Sequence, residues 1–376
     1  MAGIYLHIPF CKKACHYCDF HFSTNLSYKQ QMVEHIVLEL EARKQEVSEP
    51  ISSIYFGGGT PSLLKADQLD QLLQSIYTQF EVNDAVEITL EANPDDMNQQ
   101  SLVEWHKAGV NRLSVGIQSF KQEDLDWMNR AHSASESLTC IKLAKEQGFD
   151  SFSVDLIYGL PNMTNEDWLS TLEQAMDLGV NHLSTYCLTI EQKTALAKDV
   201  ALGKFKPLSD EKQSEQFIIL NEFLERNDWE HYEISNSCKS GNYAKHNTAY
   251  WQNNQYLGVG PSAHSFNGES RKWNIANNNK YMKLIKEEGH AFELETLTKY
   301  DQINEYILTG LRTKWGMSLD TLKQQWGFKF EAPELNLIAA WCMDNLMKKQ
   351  DNVLTLTAKG WLYADKIASD LFTINS

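Results

Sequence analysis

The feature that most constrains the fold of this chain is a strict alternation, in its first half, between short apolar runs and longer amphipathic stretches. The runs are short enough to be strands, and the stretches between them repeat apolar residues every three to four positions, which is typical of helices. The runs lie at residues 4–8, 53–56, 86–91, 112–116, 151–157 and 182–188. The helical stretches lie at residues 28–45, 66–80, 101–108, 138–147 and 167–178. The sequence therefore predicts six strands that alternate with helices.

Alternation of this kind is typical of parallel sheets, because each helix carries the chain back to the edge where the preceding strand began. Gly109 and Gly179 follow two of the helical stretches, as expected at helix C-termini. The repeats are too few for a closed eight-unit barrel, so we predict an α/β fold with an incomplete (β/α)6 TIM-like barrel. A flat, doubly wound sheet has the same periodicity and stays open as an alternative. Both architectures bind ligands at the C-terminal ends of the strands.

A cluster of three cysteines, Cys11, Cys15 and Cys18, directly follows the first predicted strand. Thiolates are the soft ligands that iron–sulfur clusters require, and a cubane cluster held by three of them keeps one iron open. An open iron can be chelated by the amino and carboxylate groups of S-adenosylmethionine (SAM). A structural zinc site, with His16 or His21 as the fourth ligand, is the alternative, although no second pair of closely spaced cysteines follows downstream.

A glycine-rich turn, Gly57, Gly58, Gly59 and Thr60, follows the second predicted strand. Glycines remove the side chains from a turn, so that backbone groups can approach a ligand closely. The spacing differs from that of dinucleotide-binding and phosphate-binding loops, since it lacks both the G-x-G-x-x-G pattern and the GK[ST] ending. The turn therefore indicates a ligand site of another kind.

Polar residues also lie at the ends of later strands. Glu91 and Asp155 occupy apolar runs, where a carboxylate is costly unless it forms hydrogen bonds or holds a ligand. With Gln118 and Arg130 they form a predicted ring suited to ribose hydroxyls and a carboxylate, and Arg130 can bind the latter through two parallel hydrogen bonds.

These features together resemble a known superfamily. The three-cysteine loop resembles that of radical SAM proteins, and the glycine turn, the Glu91 strand and the segments 115–120 and 155–161 are similar to one subfamily, the oxygen-independent coproporphyrinogen III oxidase-like group. The resemblance implies a 4Fe-4S cluster on Cys11, Cys15 and Cys18, and SAM whose reductive cleavage gives methionine and a 5'-deoxyadenosyl radical. It implies the following SAM-binding positions, the last two as further candidates: Tyr5, Tyr17, Gly57, Gly58, Gly59, Thr60, Glu91, Gln118, Arg130, Asp155, Thr189 and His264.

Phe20 helps to decide which branch of this group the chain resembles. The porphyrinogen-oxidising enzymes carry a fourth cysteine at this position and a longer segment before the cluster, whereas here the cluster loop begins at residue 11. Phenylalanine is the pattern of the HemW-type branch, whose members are haem chaperones. This implies haem b as bound cargo, respiratory haem proteins as recipients and a cellular one-electron donor. Oxygen-independent coproporphyrinogen III dehydrogenase activity stays as the alternative.

His246 is a candidate haem ligand. It begins a His-Asn-x-x-Tyr-Trp pattern that ends at Trp251 and matches one characteristic of the HemW-type branch. An imidazole can bind haem iron, and the aromatic side chains nearby can contact the macrocycle. A hydrogen-bonded structural histidine is the other interpretation.

Composition narrows the class of protein further. With 34 basic and 50 acidic residues, the net charge of -16 repels phosphate backbones, so nucleic acid is not an expected partner. No apolar run approaches the roughly 20 residues of a membrane span, so any membrane contact is expected to be peripheral. The total of seven cysteines is odd, and no secretory signal is recognised before the first strand, which is typical of a reduced, cytoplasmic protein.

We predict three domains from these patterns. Residues 1–205 form the barrel with the cluster loop, residues 206–292 an extension that contains the His246 motif, and residues 293–376 a C-terminal, mostly helical, winged-helix-like appendage. In the appendage, residues 302–312 and 335–348 have helical periodicity, and residues 353–357 read as a strand of a short hairpin.

Overall fold

The six predicted strands lie side by side, in chain order, in the middle of one sheet of the computed structural model, which describes residues 1–373. They are β1 (Ala2–Ile8), β2 (Ile51–Gly58), β3 (Val82–Ala92), β4 (Arg112–Gln118), β5 (Phe152–Tyr158) and β6 (His182–Cys187). All neighbouring pairs among them are parallel. A doubly wound sheet would reverse the strand order at an inner strand, and this sheet does not. The incomplete barrel is therefore confirmed and the doubly wound alternative is excluded.

Six helices connect and flank these strands: α1 (Lys29–Ala42), α2 (Ala66–Gln79), α3 (Gln99–Ala108), α4 (Gln122–Trp127), α5 (Ala134–Glu146) and α6 (Asn165–Asp177). Their ends have local causes. Gly109 ends α3 with a φ of 102°, a conformation that costs glycine little. Thr164 begins α6 as one half of a capping box with Asp167. The predicted helix bounds agree with these to within a few residues.

Additional strands extend both edges of the sheet. On one side, β7 (Trp229–Glu233) and β8 (Asn236–Lys239) form a hairpin antiparallel to β6. On the other side, β9 (Tyr256–Val259) pairs in parallel with β1, and β10 (His264–Phe266), β11 (Ser270–Asn274) and β12 (Phe292–Thr296) continue antiparallel. Four helices accompany them: α7 (Ala195–Ala201), α8 (Asp210–Arg226), α9 (Lys245–Trp251) and α10 (Asn278–Glu288). Of these, α9 contacts β1 and β2, which places the His246 motif against the barrel.

The C-terminal region is mostly helical, as predicted. Its elements are α11 (Lys299–Leu311), β13 (Met317–Ser318), α12 (Leu319–Trp326), α13 (Ala332–Met343), β14 (Met347–Gln350), β15 (Val353–Leu356), α14 (Ala358–Trp361) and α15 (Ala364–Asp370). The helix predicted to extend to Lys348 is too long by five residues, because Asn345 adopts a left-handed φ of 56° that turns the chain into β14.

The domain bounds stay predictions. The one proposed at residue 293 lies inside β12, and the last residues of the third domain, 374–376, lie outside the described part of the chain. Within residues 1–373, no helix has the length and apolar character needed to cross a membrane.

Candidate cluster and cofactor site

The cysteine loop projects from the C-terminal end of β1 and is held at its base. Ser23 closes the loop through two backbone hydrogen bonds. The Ser23 N–H donates to the Pro9 carbonyl at 2.9 Å, and the Cys11 N–H donates to the Ser23 carbonyl at 3.0 Å. The tip is held by the end of α4, since the Asn129 amide donates to the Ala14 carbonyl at 2.8 Å. Such anchors position the sulfurs before any ligand is bound.

A cavity of about 420 Å³ lies between this loop and the strand ends, and we call it the cluster cavity. All three loop cysteines line it. Predicted SAM-binding residues also line it: Tyr17 of the same loop and, from β2 to β6 and the segments that follow these strands, Gly58, Gly59, Thr60, Glu91, Gln118, Arg130, Asp155 and Thr189. The volume lies in the usual range for cofactor sites, so loop and strand ends form one site of suitable size.

Arg130 connects the cysteine loop to the strands. Its Nη1 donates to the Cys15 sulfur and to the Tyr17 hydroxyl, both at 3.4 Å. Its Nη2 donates to the Asn93 side-chain oxygen at 2.6 Å and to the Gly116 carbonyl at 2.8 Å. Its Nε is buried and has no hydrogen-bond partner among residues 1–373, which leaves one donor for a bound group.

Two buried carboxyl groups face the same cavity. Burial raises the pKa of Glu91 to about 7, against the opposing effects of hydrogen bonds from the Tyr55 hydroxyl at 2.8 Å and the Gly58 N–H at 3.2 Å. Burial likewise raises the pKa of Asp155 to about 6, although the Ser114 hydroxyl donates to it at 3.3 Å. Carboxyl groups with such pKa values respond strongly to a cationic ligand.

The glycine turn fits tightly against the start of the cysteine loop. A Cβ on Gly59 would lie 2.7 Å from the backbone nitrogen and oxygen of Phe10 and 2.8 Å from the Ile8 carbonyl. Backbone atoms cannot move aside as a flexible side chain can, so only glycine allows this approach. Gln118 shows a second local distortion, because β4 has a register irregularity before it and its φ is 66°. Bulges and left-handed residues of this kind often aim a side chain into a site.

The donor set fits a cluster with three protein ligands. Burial raises the pKa of the Cys11 thiol to about 11 and that of the Cys18 thiol to about 12, so the protein alone does not hold them as thiolates. Bound iron would supply the missing positive charge. The three cysteines, the open side of the cavity and the spare donor of Arg130 are therefore compatible with a 4Fe-4S cluster and SAM.

Each proposed fourth zinc ligand has one ring nitrogen in a hydrogen bond, which leaves its other nitrogen for a metal. The Nδ1 of His16 lies 2.9 Å from the Trp127 carbonyl, and the Nε2 of His21 lies 2.7 Å from the Asn278 side-chain oxygen. In the part of the chain that the structure describes, no three His, Cys, Asp or Glu side chains are grouped as ligands of one metal ion. Single-ion coordination on this loop would therefore require it to rearrange.

Several predicted residues lie outside the cluster cavity. Tyr5 lines an inner cavity of about 220 Å³ that lies within the barrel, and Gly57 is covered by Tyr5 and Tyr55. His264 lines a third cavity on the β9–β10 side, described below. The assignment of Tyr5, Gly57 and His264 to SAM stays a prediction. A ligand in the cluster cavity would have to extend beyond that cavity to contact them.

His246 is buried on the inner-cavity side of α9. Its Nδ1 lies 2.8 Å from the Ser53 hydroxyl and its Nε2 lies 2.8 Å from the Tyr250 hydroxyl, and its ring stacks on Tyr55 at 5.1 Å. Burial lowers its pKa to about 3. Iron ligation would break one of these hydrogen bonds, and the inner cavity is smaller than usual cofactor sites. Haem ligation by His246 would therefore require the loss of a buried hydrogen bond and an enlargement of the inner cavity, and the sequence does not show either requirement.

Three polar residues that were not predicted from the sequence form hydrogen bonds to predicted site residues: Tyr55, Asn93 and Ser114. Each contacts a predicted residue through the hydrogen bonds given above. Asn93 follows β3 directly, so its position was a usable signal. Tyr55 and Ser114 lie within strands, where sequence alone does not distinguish a site residue from a core residue.

The raised pKa of Glu91 leads to a calorimetric prediction. A cationic sulfonium in the cluster cavity favours the ionised carboxylate, so SAM binding at pH 7 should release about half a proton more from wild type than from Glu91→Gln. The measurement is titration of SAM into the anaerobically reconstituted protein in two buffers of different ionisation enthalpy. Equal proton release by the two proteins would show that Glu91 does not face the cation.

Comparison with known proteins places these features in a family context. Residues 5–175 match the model of the radical SAM superfamily. The chain is 32% identical over 374 residues to the heme chaperone HemW of Bacillus subtilis (strain 168), and the match covers 98% of both chains. It is also 32% identical over 376 residues to the mitochondrial radical S-adenosyl methionine domain-containing protein 1 of Mus musculus, which covers 97% of this chain and 82% of the relative.

A solved structure has the same architecture. The coproporphyrinogen III oxidase HemN of Escherichia coli, described as a radical SAM enzyme, superposes with a TM-score of 0.86 at 26% identity and covers 99% of this chain and 90% of its own. The similarity includes the C-terminal region as well as the barrel.

Proposed function

We propose, from the premise that this chain belongs to the HemW-type group of the radical SAM superfamily, that it is a haem chaperone that carries a 4Fe-4S cluster and SAM. The observation that carries the proposal is the identity of 32% over 98% of the chain to a protein named heme chaperone HemW. Relatives with this name match the whole chain, so the similarity extends well beyond the segment that holds the cofactors.

Phe20 supports the chaperone function over porphyrinogen oxidation. Its side chain is 68% exposed and lines the cluster cavity at the position where the porphyrinogen-oxidising enzymes carry a fourth cysteine. A large apolar side chain that remains exposed beside a cavity is available to contact a ligand or a partner.

The proposed cofactor residues are those of the cluster cavity. Cys11, Cys15 and Cys18 would hold the cluster, and the glycine turn, Glu91, Gln118, Arg130 and Asp155 would hold SAM. When bound, the cluster would supply one electron to a sulfonium. The residues of the chain itself would orient the ligand: Arg130 links the Cys15 sulfur to the strand ends, and the buried carboxyl groups match cationic and hydroxyl groups.

For the cargo we propose haem b, with respiratory haem proteins as recipients and a cellular one-electron donor for the cluster. The supporting observation for haem is the name shared by the bacterial relatives. The recipients rest on the resemblance to the HemW-type branch, and the proposed cytoplasmic location rests on the cysteine usage of the sequence.

A second candidate function is oxygen-independent coproporphyrinogen III dehydrogenase activity. The TM-score of 0.86 to the E. coli coproporphyrinogen III oxidase favours it, because the whole architecture is shared. Phe20 disfavours it, and fold similarity alone does not transfer an activity.

One sample can distinguish the two functions. The protein is reconstituted anaerobically with iron and sulfide, and haem binding and coproporphyrinogen III conversion are then measured on aliquots. We expect about one haem bound per chain, seen as a Soret band that saturates on titration, and no protoporphyrinogen IX in the presence of SAM and a reductant. Sustained formation of protoporphyrinogen IX would overturn the chaperone proposal in favour of the second candidate.

A further inference from the structure

A large cavity lies beside the cluster cavity. Its volume is about 620 Å³, and six of its lining residues have aromatic side chains: Tyr5, Phe20, Tyr250, Trp251, Tyr256 and Phe266. We call it the aromatic cavity. The rings of Tyr250 and Tyr256 meet edge to face at 4.5 Å, so the wall is a packed aromatic surface. Asp19 and Phe20 line both cavities and separate them.

The His246 motif builds part of this wall, but its histidine does not face it. From the short helix α9, Asn247, Tyr250 and Trp251 line the aromatic cavity, whereas His246 lines only the inner cavity. The indole N–H of Trp251 is buried without a hydrogen-bond partner among residues 1–373. The motif therefore supplies contact surface at the aromatic cavity.

Three histidines line the aromatic cavity, and they differ in the state of their ring nitrogens. The Nε2 of His7 lies 2.8 Å from the His21 carbonyl and its Nδ1 lies 3.3 Å from the Tyr5 hydroxyl. His21 is bonded through Nε2 to Asn278. His264 is exposed to the cavity, and the hydrogen bonds of residues 1–373 include none to its ring. Partial desolvation of the ring at the cavity wall and the charge of Arg271 lower its pKa, which favours the neutral imidazole that binds iron.

A cationic side chain lies at the same cavity. Arg271 pairs with Glu305 at 2.9 Å, but 44% of its side chain remains exposed, so its guanidinium can also donate hydrogen bonds to a carboxylate of a ligand. The cavity thus combines aromatic side chains, an imidazole with free nitrogens and a guanidinium. A planar macrocycle with a central metal and carboxylate arms matches all three.

We propose that the aromatic cavity is the haem site, with His264 as an axial ligand of the iron and Arg271 as the partner of a propionate. This site assignment rests on the proposed function, because it presupposes that the protein binds haem as its cargo. Phe20 then lies between the haem and the cluster and covers part of the macrocycle, which gives the residue at this position a direct role in cargo binding.

The test is a haem titration of the full-length reconstituted protein, with wild type, His264→Ala, Arg271→Gln, His246→Ala and the control His290→Ala, whose exposed side chain does not line the cavity. For His264→Ala we expect a loss of affinity of at least about tenfold and a shifted Soret band, with the wild-type spectrum restored by added imidazole. For Arg271→Gln we expect weaker binding with an unchanged spectrum, and for His290→Ala no change.

The outcomes separate the two proposals. If wild type binds haem and His264→Ala keeps both the affinity and the spectrum, the assignment of His264 is overturned while the chaperone function stands. A spectrum that changes only in His246→Ala would assign ligation to the inner cavity instead. If wild type binds no haem, the proposed function fails and the site fails with it.

Discussion

Replacement of Cys15 by serine should abolish assembly of the iron–sulfur cluster. The loop offers three sulfurs, and a serine hydroxyl is a poor ligand for iron in such clusters. The substitution also removes the sulfur that accepts a hydrogen bond from Arg130 at 3.4 Å, so the contact between the loop and the strand ends is lost as well. After anaerobic reconstitution we expect the iron content to fall from about four atoms per chain to less than about one, with loss of visible absorbance.

Cys342→Ser is the matched control for this experiment. Cys342 is half-buried in α13, far along the chain from the loop, and its replacement should leave iron content and absorbance unchanged. Circular dichroism of Cys15→Ser should match that of wild type, because β1 and the base of the loop keep their backbone hydrogen bonds. A Cys15→Ser protein that retains a full cluster would contradict the assignment of this loop, as would stoichiometric zinc in the reconstituted wild type.

The predictable part of the site follows from one geometric rule. Parallel strands end at the same edge of a sheet, so Glu91 and Gln118, at the ends of β3 and β4, are expected to lie close together, with Asp155 in the middle of the next strand, β5. The structure brings them to one cavity with the cysteine loop. Their ligands are still proposals, since position alone does not identify a bound molecule.

The directions of individual side chains could not be predicted in the same way. His246 and Tyr250 are four residues apart on α9, yet His246 faces only the inner cavity, whereas Tyr250 reaches both cavities. Which face of a short helix lies against the barrel depends on packing with β1 and β2, and these contacts join distant parts of the sequence. The same limit applies to His264, because the sequence does not show that its side chain lines a separate cavity.

A buried ion pair joins Glu39 of α1 to Arg43, the residue after the helix, and their spacing of four residues does not reveal the burial. In the structure Glu39 is completely buried and Arg43 donates to it at 2.7 Å. Glu39 also accepts hydrogen bonds from the Asn274 amide at 2.7 Å, the Gly260 N–H at 2.8 Å and the Tyr281 hydroxyl at 2.6 Å. Its partners thus come from α10 and the β9–β11 edge of the sheet.

Glu39→Ala should therefore be among the most destabilising substitutions in this protein. Its loss removes one of the two carboxylates that pair with the buried guanidinium of Arg43, Glu46 remaining at 3.0 Å, and takes an acceptor from three further donors. Leaving several buried donors short of an acceptor in this way costs about 3–5 kcal/mol. The measurement is urea unfolding of the cluster-free protein followed by circular dichroism. Glu41→Ala, on the exposed side of the same helix, is the control and should change the free energy of unfolding by less than about 0.5 kcal/mol.

The same substitution links the fold to cargo binding. Arg43 donates to the Gly258 carbonyl and the Ser265 hydroxyl, both at 2.9 Å, and Ser265 is the neighbour of His264 in β10. Loss of Glu39 weakens this anchor. In the absence of urea, at a temperature where the variant remains folded, Glu39→Ala should therefore also weaken haem binding. The iron content of the cluster should stay unchanged. Weakened haem binding with an intact cluster would connect the β9–β11 edge to the cargo. Equal loss of both would instead indicate general unfolding, and unchanged haem affinity would argue against a site at His264.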